Sequence, residues 1–293
     1  MPAHGAGEEE RRMRLRSLLF VPGDRPERFG KAAASGADAL ILDLEDSVSA
    51  ANKTKAREAI AAYLDQPDRP VPLFVRINPL DSAFTADDLA AVAGHKPDGI
   101  MLPKAEGGAS VVELDKRLTA LGNSNALIFP LATETAAAIF AIGTFGGTPR
   151  LCALSWGAED LPAAIGAATA READGSFTPP YELARSLTLF GAHAASVSAI
   201  ETVFPDIKNT DGLAAYAARG RRDGFTGMMA IHPAQIPIIN TAFTPTEDEL
   251  AHARKIIAAF AAAPEAGVLQ IDGKMVDAPH LKQARRILAL AGA

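Results

Sequence analysis

The chain has 293 residues, 48% of them hydrophobic, a formal net charge of −6 and a single cysteine. An acidic balance with no basic run and no ladder of aromatic residues argues against nucleic acid as a partner. No uninterrupted apolar stretch of about 20 residues exists to cross a membrane. A chain of this length buries about three quarters of its unfolded surface, so one large core is expected. Residues 1–16, with Glu8-Glu9-Glu10 ahead of Arg11-Arg12, lack the apolar segment of a signal peptide and read as a flexible polar arm. Together with the lone Cys152, which cannot form an internal disulfide and reads as a small buried hydrophobe, they place the chain in the cytoplasm.

Eight short apolar runs follow, and each ends in a residue able to do chemistry. The runs at 18–21, 39–44, 73–75 and 99–102 lead to Pro22-Gly23-Asp24, Glu45-Asp46, Arg76 and Pro103-Lys104. Those at 127–133, 151–156, 195–200 and 227–231 lead to Glu134, Gly157-Ala158-Glu159-Asp160, Glu201 and His232-Pro233. Alanine-rich stretches with helical spacing lie between them, at 27–34, 53–64, 86–93, 111–121 and 181–195. Near-continuous apolar strands alternating with helices imply a parallel sheet covered on both faces. Eight such units predict an α/β protein of the (β/α)8 TIM-barrel class, over residues 17–243, in which side chains distant in sequence meet where the strands end. An open doubly wound sheet is the competing arrangement, but the loop Pro22-Gly23-Asp24-Arg25-Pro26 has one glycine where a dinucleotide fingerprint needs three.

Past the eighth run the pattern changes. Thr246-Glu247-Asp248-Glu249 has the spacing of a capping box and opens a helix over 250–263. Two short runs, 268–271 and 274–276, flank Asp272-Gly273, a dipeptide favoured in two-residue hairpin turns. A final helix follows Pro279. Residues 244–293 are therefore a C-terminal helix-hairpin-helix appendage, expected to act as a lid or as an arm reaching a neighbouring subunit.

The motifs taken together resemble a known family. Leu19-Phe20-Val21-Pro22-Gly23-Asp24-Arg25-Pro26, Asp43-Leu44-Glu45-Asp46, Val75-Arg76-Ile77-Asn78, Leu102-Pro103-Lys104, Thr133-Glu134-Thr135, Gly157-Ala158-Glu159-Asp160 and Ile231-His232-Pro233 occur in register. In these the chain is similar to the citrate lyase beta-subunit-like proteins of the HpcH/HpaI aldolase superfamily, close to the citramalyl-CoA and malyl-CoA lyases. The resemblance spans roughly residues 15–293. It implies a Mg2+-dependent carbon–carbon lyase, with Mn2+ as a substitute, that splits a 3-hydroxyacyl-CoA into acetyl-CoA and a 2-oxo acid. It also implies assembly as a homotrimer or a dimer of trimers. A citryl-acyl-carrier lyase subunit, a malate-synthase-like enzyme that hydrolyses the thioester, and a noncatalytic CoA-binding barrel are the alternatives.

The residues support that chemistry independently. Glu134 and Asp160 follow adjacent strands and stand 26 positions apart, the length of one helix and one strand, so their carboxylates can approach one ion. Two carboxylates with no His or Cys cluster suit a hard cation that keeps water, Mg2+ rather than Zn2+. The family pattern puts its metal ligands at these two positions, although each acid also fits a helix N-terminus. Glu45 and Asp46 are expected to orient metal-bound water, or to form a solvated acidic loop. Arg76 suits an enolate, since its guanidinium stays charged and presents a rigid fork of donors; a salt bridge to Glu45 or Asp46 is its other reading. By resemblance, Phe20, Arg25 and Lys31 surround the CoA nucleotide, and Asp277 of the appendage is the general acid/base, acting in an adjacent subunit. Asp277 also fits a helix cap. Lys104 is left without a role, and His232 reads as a cap before Pro233. Glu201 and Met228 stand where relatives often have aspartate and lysine, which puts the identity of the acid in doubt.

Overall fold

Each predicted apolar run overlaps a strand in the computed structural model, which describes residues 13–291. They are β1 (Ser17–Pro22), β2 (Ala39–Asp43), β3 (Leu73–Arg76), β4 (Gly99–Leu102), β5 (Leu127–Pro130), β6 (Ala153–Ser155), β7 (Ser198–Glu201) and β8 (Gly227–Ala230). All pair in parallel, in the order β5-β4-β3-β2-β1-β8-β7-β6. The two ends of this order meet through single bridges, Ile128 to Leu151 and Leu131 to Ser155. There the Ala132 N–H donates to the Ser155 carbonyl at 2.8 Å, which closes the sheet into a TIM barrel.

The strands are dry on both faces, as their unbroken apolar character demands: every residue of β2, β4 and β8 is buried. Helices cover the outside: α1 (Phe29–Ala33), α2 (Lys53–Leu64), α3 (Thr85–Val92), α4 (Gly108–Ala120), α5 (Ala136–Ala141), α6 (Leu161–Ile165), α7 (Pro179–Ala194), α8 (Thr210–Asp223) and α9 (Ile236–Ala242). In α2 the buried stripe Ala56, Ile60, Leu64 repeats every fourth residue, one face of a helix. The helix expected over 27–34 is divided, because Pro26, lacking an N–H, opens a 3-10 turn (Pro26–Arg28) ahead of α1.

The barrel begins slightly before β1. Leu15 is buried, and the Arg16 carbonyl accepts from the Met228 N–H at 2.8 Å while its guanidinium pairs with Asp38 at 2.7 Å. A Cβ at Gly227 would sit 1.8 Å from the Leu15 carbonyl oxygen, so this close approach of two backbones requires glycine. Residues 1–12 of the polar arm lie outside the described residues.

Leu15–Asn240 form one compact unit, and among the described residues 241–291, with Met13 and Arg14, form a second. In the second, α10 (Glu247–Ala262) starts with the predicted capping box: the Glu249 N–H donates to Thr246 Oγ1, and the Thr246 N–H to the Glu249 carboxylate. Strands β9 (Val268–Ile271) and β10 (Lys274–Asp277) pair antiparallel around Asp272 and Gly273, both with positive φ, of 52° and 75°. The helix α11 (Ala278–Ala291) follows at once, and Ala253, Ile256, Ile271, Val276 and Ala284 form the unit's own small core.

Candidate active site

A cavity of about 440 Å³ lies at the C-terminal ends of the barrel strands, where this fold collects its chemistry. Its wall includes Phe20 from β1, Asp43 and Asp46 from β2 and the loop after it, Arg76 from β3, Glu134 beyond β5, and Gly157 and Asp160 beyond β6. Leu131, Val203, Met229 and Ile231 supply an apolar side.

On the side of β2 to β4 each acid has a cation beside it. Arg76 donates through Nε and Nη2 to the two oxygens of Asp43, each at 2.7 Å, in a bidentate clamp. Its Nη1 lies 3.0 Å from Glu45 Oε2 and 4.0 Å from Asp46, so the predicted salt bridges exist. They are subordinate to Asp43, and Glu45 Oε2 is left without a hydrogen-bond partner. Burial alone would lower the Arg76 pKa, but Asp43 and then Glu45 and Asp46 outweigh it and hold it above its ordinary value. Phe20 lies against the guanidinium, 4.8 Å from ring centroid to Cζ. Lys104 Nζ donates to Glu45 Oε1 at 2.8 Å and pairs with Asp160 at 3.3 Å.

On the side of β5 and β6 Asp160 shares the Lys104 ammonium, but no recorded side chain donates to Glu134. Glu134 is buried, and it accepts one bond, at 2.6 Å, from the Lys104 backbone N–H. Burial first, and then the charge of Asp160, push its carboxyl up to about 8. Helix capping does not account for either acid. Thr135, not Glu134, caps α5 by accepting from the Ala138 N–H, and Asp160 stands just before α6, at its N-cap position, without making a side-chain cap bond. Gly157 makes room for the buried carboxyl: a Cβ there would come within 2.5 Å of Glu134 Cγ.

Other predicted positions divide clearly. Glu45 is buried behind the wall and tied to Arg76 and Lys104, whereas Asp46 is mostly exposed on the cavity rim. Arg25 and Lys31 are exposed and do not line the cavity, and the ion contact recorded for Arg25 is Asp24 at 3.9 Å. Asp277 ends β10 in the second unit, with Oδ1 2.5 Å from His280 Nδ1. His232 is a cap, its Nδ1 accepting from the Ala234 N–H. Cys152 lies just before β6, half-buried, its thiol pushed up to about 12 by burial.

Two functional features escape a reading of the sequence. Asp43 reads as the last residue of an apolar strand, yet it is the anchor of Arg76. Lys53, the first residue of α2, is buried and donates to the carbonyls of Leu44 and Glu45 and to Asn78 Oδ1, at 2.6, 2.8 and 2.9 Å. It thereby fixes the turn from which Glu45 projects. Asn78 in the Val75-Arg76-Ile77-Asn78 motif was the available signal, since an amide that close to a strand end needs a partner.

Residues 184–293 match the model of the C-C bond lyases of the TIM-barrel fold. The chain belongs to the HpcH/HpaI aldolase/citrate lyase family, whose model matches residues 16–233. It is 40% identical to the citrate lyase subunit beta-like protein of Mycobacterium tuberculosis, over 94% of each chain. It is 34% identical to the L-malyl-CoA/beta-methylmalyl-CoA lyase of Cereibacter sphaeroides, again over 94% of each. The crystal structure of CitE from Mycobacterium tuberculosis in complex with magnesium, acetoacetate and coenzyme A superposes with a TM-score of 0.81. That structure is 38% identical, and the match covers 96% of this chain and all of that one.

Proposed function

We propose that this chain cleaves a 3-hydroxyacyl-CoA bearing a carboxylate, with citramalyl-CoA and malyl-CoA as the substrates of choice, into acetyl-CoA and a 2-oxo acid, using Mg2+. The observation that carries the reading is the pair Glu134 and Asp160, two acids turned to one cavity, with the Glu134 carboxyl held by a single backbone donor. The pair fits a divalent ion. Burial, and after it the charge of Asp160, raises the Glu134 pKa, and a cation would relieve the repulsion between the two acids. Among the described residues no three or more His, Cys, Asp or Glu side chains stand together as a metal cluster. An ion held by two carboxylates completes its shell with water and substrate oxygens, as Mg2+ does. Magnesium and coenzyme A in the Mycobacterium tuberculosis CitE complex support the same reading.

When bound, the ion supplies Lewis acidity to the substrate oxygens at the bond that breaks. Arg76 stabilises the enolate of acetyl-CoA, and Asp43 fixes its fork so that little reorganisation accompanies the reaction. Asp46, on the cavity rim, would orient water held by the ion, and Glu45 behind the wall would support it by holding Arg76 and Lys104 in place. The CoA nucleotide lies over the first strand-helix loop, near Phe20, Arg25 and Lys31, and the two exposed cations can meet its phosphates. Asp277 exchanges the proton at the acetyl carbon, and residues 244–293 carry it to a neighbouring subunit of a cytoplasmic homotrimer or dimer of trimers.

Assay of the purified protein with citramalyl-CoA and malyl-CoA, in Mg2+ and in chelator, tests the reading. Acetyl-CoA and pyruvate or glyoxylate are expected in Mg2+, and none in chelator or with Asp160→Asn. Release of free CoA instead would identify thioester hydrolysis, turnover only with a carrier-protein thioester would identify a citrate lyase subunit, and no turnover would leave a binding barrel. Mixed oligomers of Asp277→Asn and Asp160→Asn subunits recover turnover if the acid acts across subunits.

A further inference from the structure

From the geometry at the end of β10 we infer that His280 is the positioning residue of Asp277, tying down one carboxylate oxygen so that the other alone faces the reacting carbon. The inference rests on the proposed acid/base role of Asp277. Two contacts converge on His280 Nδ1: Asp277 Oδ1 at 2.5 Å and the Asp277 backbone N–H at 3.2 Å. One nitrogen cannot donate to the first and accept from the second at once. The shorter contact joins it to a carboxylate, where a hydrogen bond is strongest, so the proton lies between Nδ1 and Oδ1. Oδ1 is then an acceptor fixed in place, and Oδ2 is the oxygen left to give or take the proton at the acetyl carbon. On cleavage the proton moves from Oδ2 to the enolate carbon, a C–H bond forms as an O–H bond breaks, and the carboxylate left behind keeps its donor in His280.

The local chain makes this pairing specific. Asp277 is the last residue of β10 and His280 lies in the first turn of α11, where the helix brings position i+3 back over the strand end. Val276, beside Asp277, is buried in the unit's core, so the backbone carrying the acid is anchored, while the two side chains remain partly exposed, 35% and 47%. An anchored backbone and a reachable carboxylate are what a group delivering a proton to a thioester needs.

The experiment compares Asp277→Asn, His280→Leu and His280→Asn in steady-state cleavage and in deuterium exchange at the methyl of acetyl-CoA. His280→Leu is expected to lower kcat and the exchange rate about 10–100-fold, as losing an orienting partner does, with KM changed less than about twofold. His280→Asn, whose amide can donate to Oδ1, recovers most of the loss. Equal kcat in His280→Leu and the parent protein, with Asp277→Asn inactive, overturns the positioning role and leaves a plain helix cap. An active Asp277→Asn overturns instead the acid/base reading beneath it.

Discussion

Glu134 and Glu201 are both buried acids at barrel strand ends, one beyond β5 and one closing β7, and their surroundings are opposite. Glu201 accepts from Trp156 Nε1, from Arg185 Nε at 2.7 Å, from the Tyr216 hydroxyl at 2.8 Å and from the Thr202 N–H at 2.9 Å. Glu134 has one amide donor and faces a second acid. A buried carboxylate with a full set of donors belongs to the scaffold; one that is short of donors and pressed by a like charge is kept for a ligand. Glu201 therefore belongs to the scaffold, since four donors inside the protein already hold its carboxylate.

The contrast can be broken most directly at its two members. Glu134→Gln should lower Mg2+-dependent kcat more than about 1,000-fold, a loss of Lewis-acid catalysis, while the melting temperature stays level or rises. Glu201→Gln should do the reverse, taking from the buried Arg185 guanidinium one of its two counter-charges, Asp223 remaining at 2.8 Å, and reducing stability by about 1–3 kcal/mol in denaturant unfolding. If Glu201→Gln is fully stable and inactive, the two acids have been assigned the wrong way round.

Gly157→Ala sharpens the comparison by moving Glu134 without removing it. The added methyl would have to share space with Glu134 Cγ, so a fall in kcat of about 10–100-fold is expected, with unfolding little changed. The pH dependence comes next in size. Glu134 holds its proton up to about 8 when folded, against an ordinary 4.5, so in chelator the stability it contributes is full below pH 4.5 and is lost as pH rises through about 8. Because an ion must displace that proton, Mg2+ affinity by calorimetry should climb about tenfold per pH unit up to about 8 and then level. Smallest is Asp46→Asn, a 60% exposed acid on the rim, expected to alter stability by less than about 1 kcal/mol.

The barrel was legible because each strand is apolar along its length and each polar end marks a mouth, and the acids beyond β5 and β6 stood out against that regularity. The hairpin was legible from Asp272-Gly273, whose backbone adopts the left-handed region that the dipeptide favours. Pairing between distant strand ends was not. Asp43 follows four apolar residues, and nothing local says that it will grip Arg76, 33 positions on. Lys53 is hidden for a related reason: helical spacing locates a face, but only the tertiary arrangement shows that carbonyls of the neighbouring turn point at it. The lining of the acid pocket by Val203 and Ile231 depends likewise on where loops come to rest.

The seam of the barrel has a mechanical side. Seven of the eight strand junctions are ladders of paired residues, while β5 and β6 touch through two isolated bridges. Glu134 and Asp160 stand one on each side of that loosest joint, so an ion gripped by both would act as a clasp on the cylinder. Loading with Mg2+ would then stiffen the hoop as well as equip the mouth, and amide exchange at Ile128 and Ala132 would slow more than at β1, which is laced to its neighbours on both flanks.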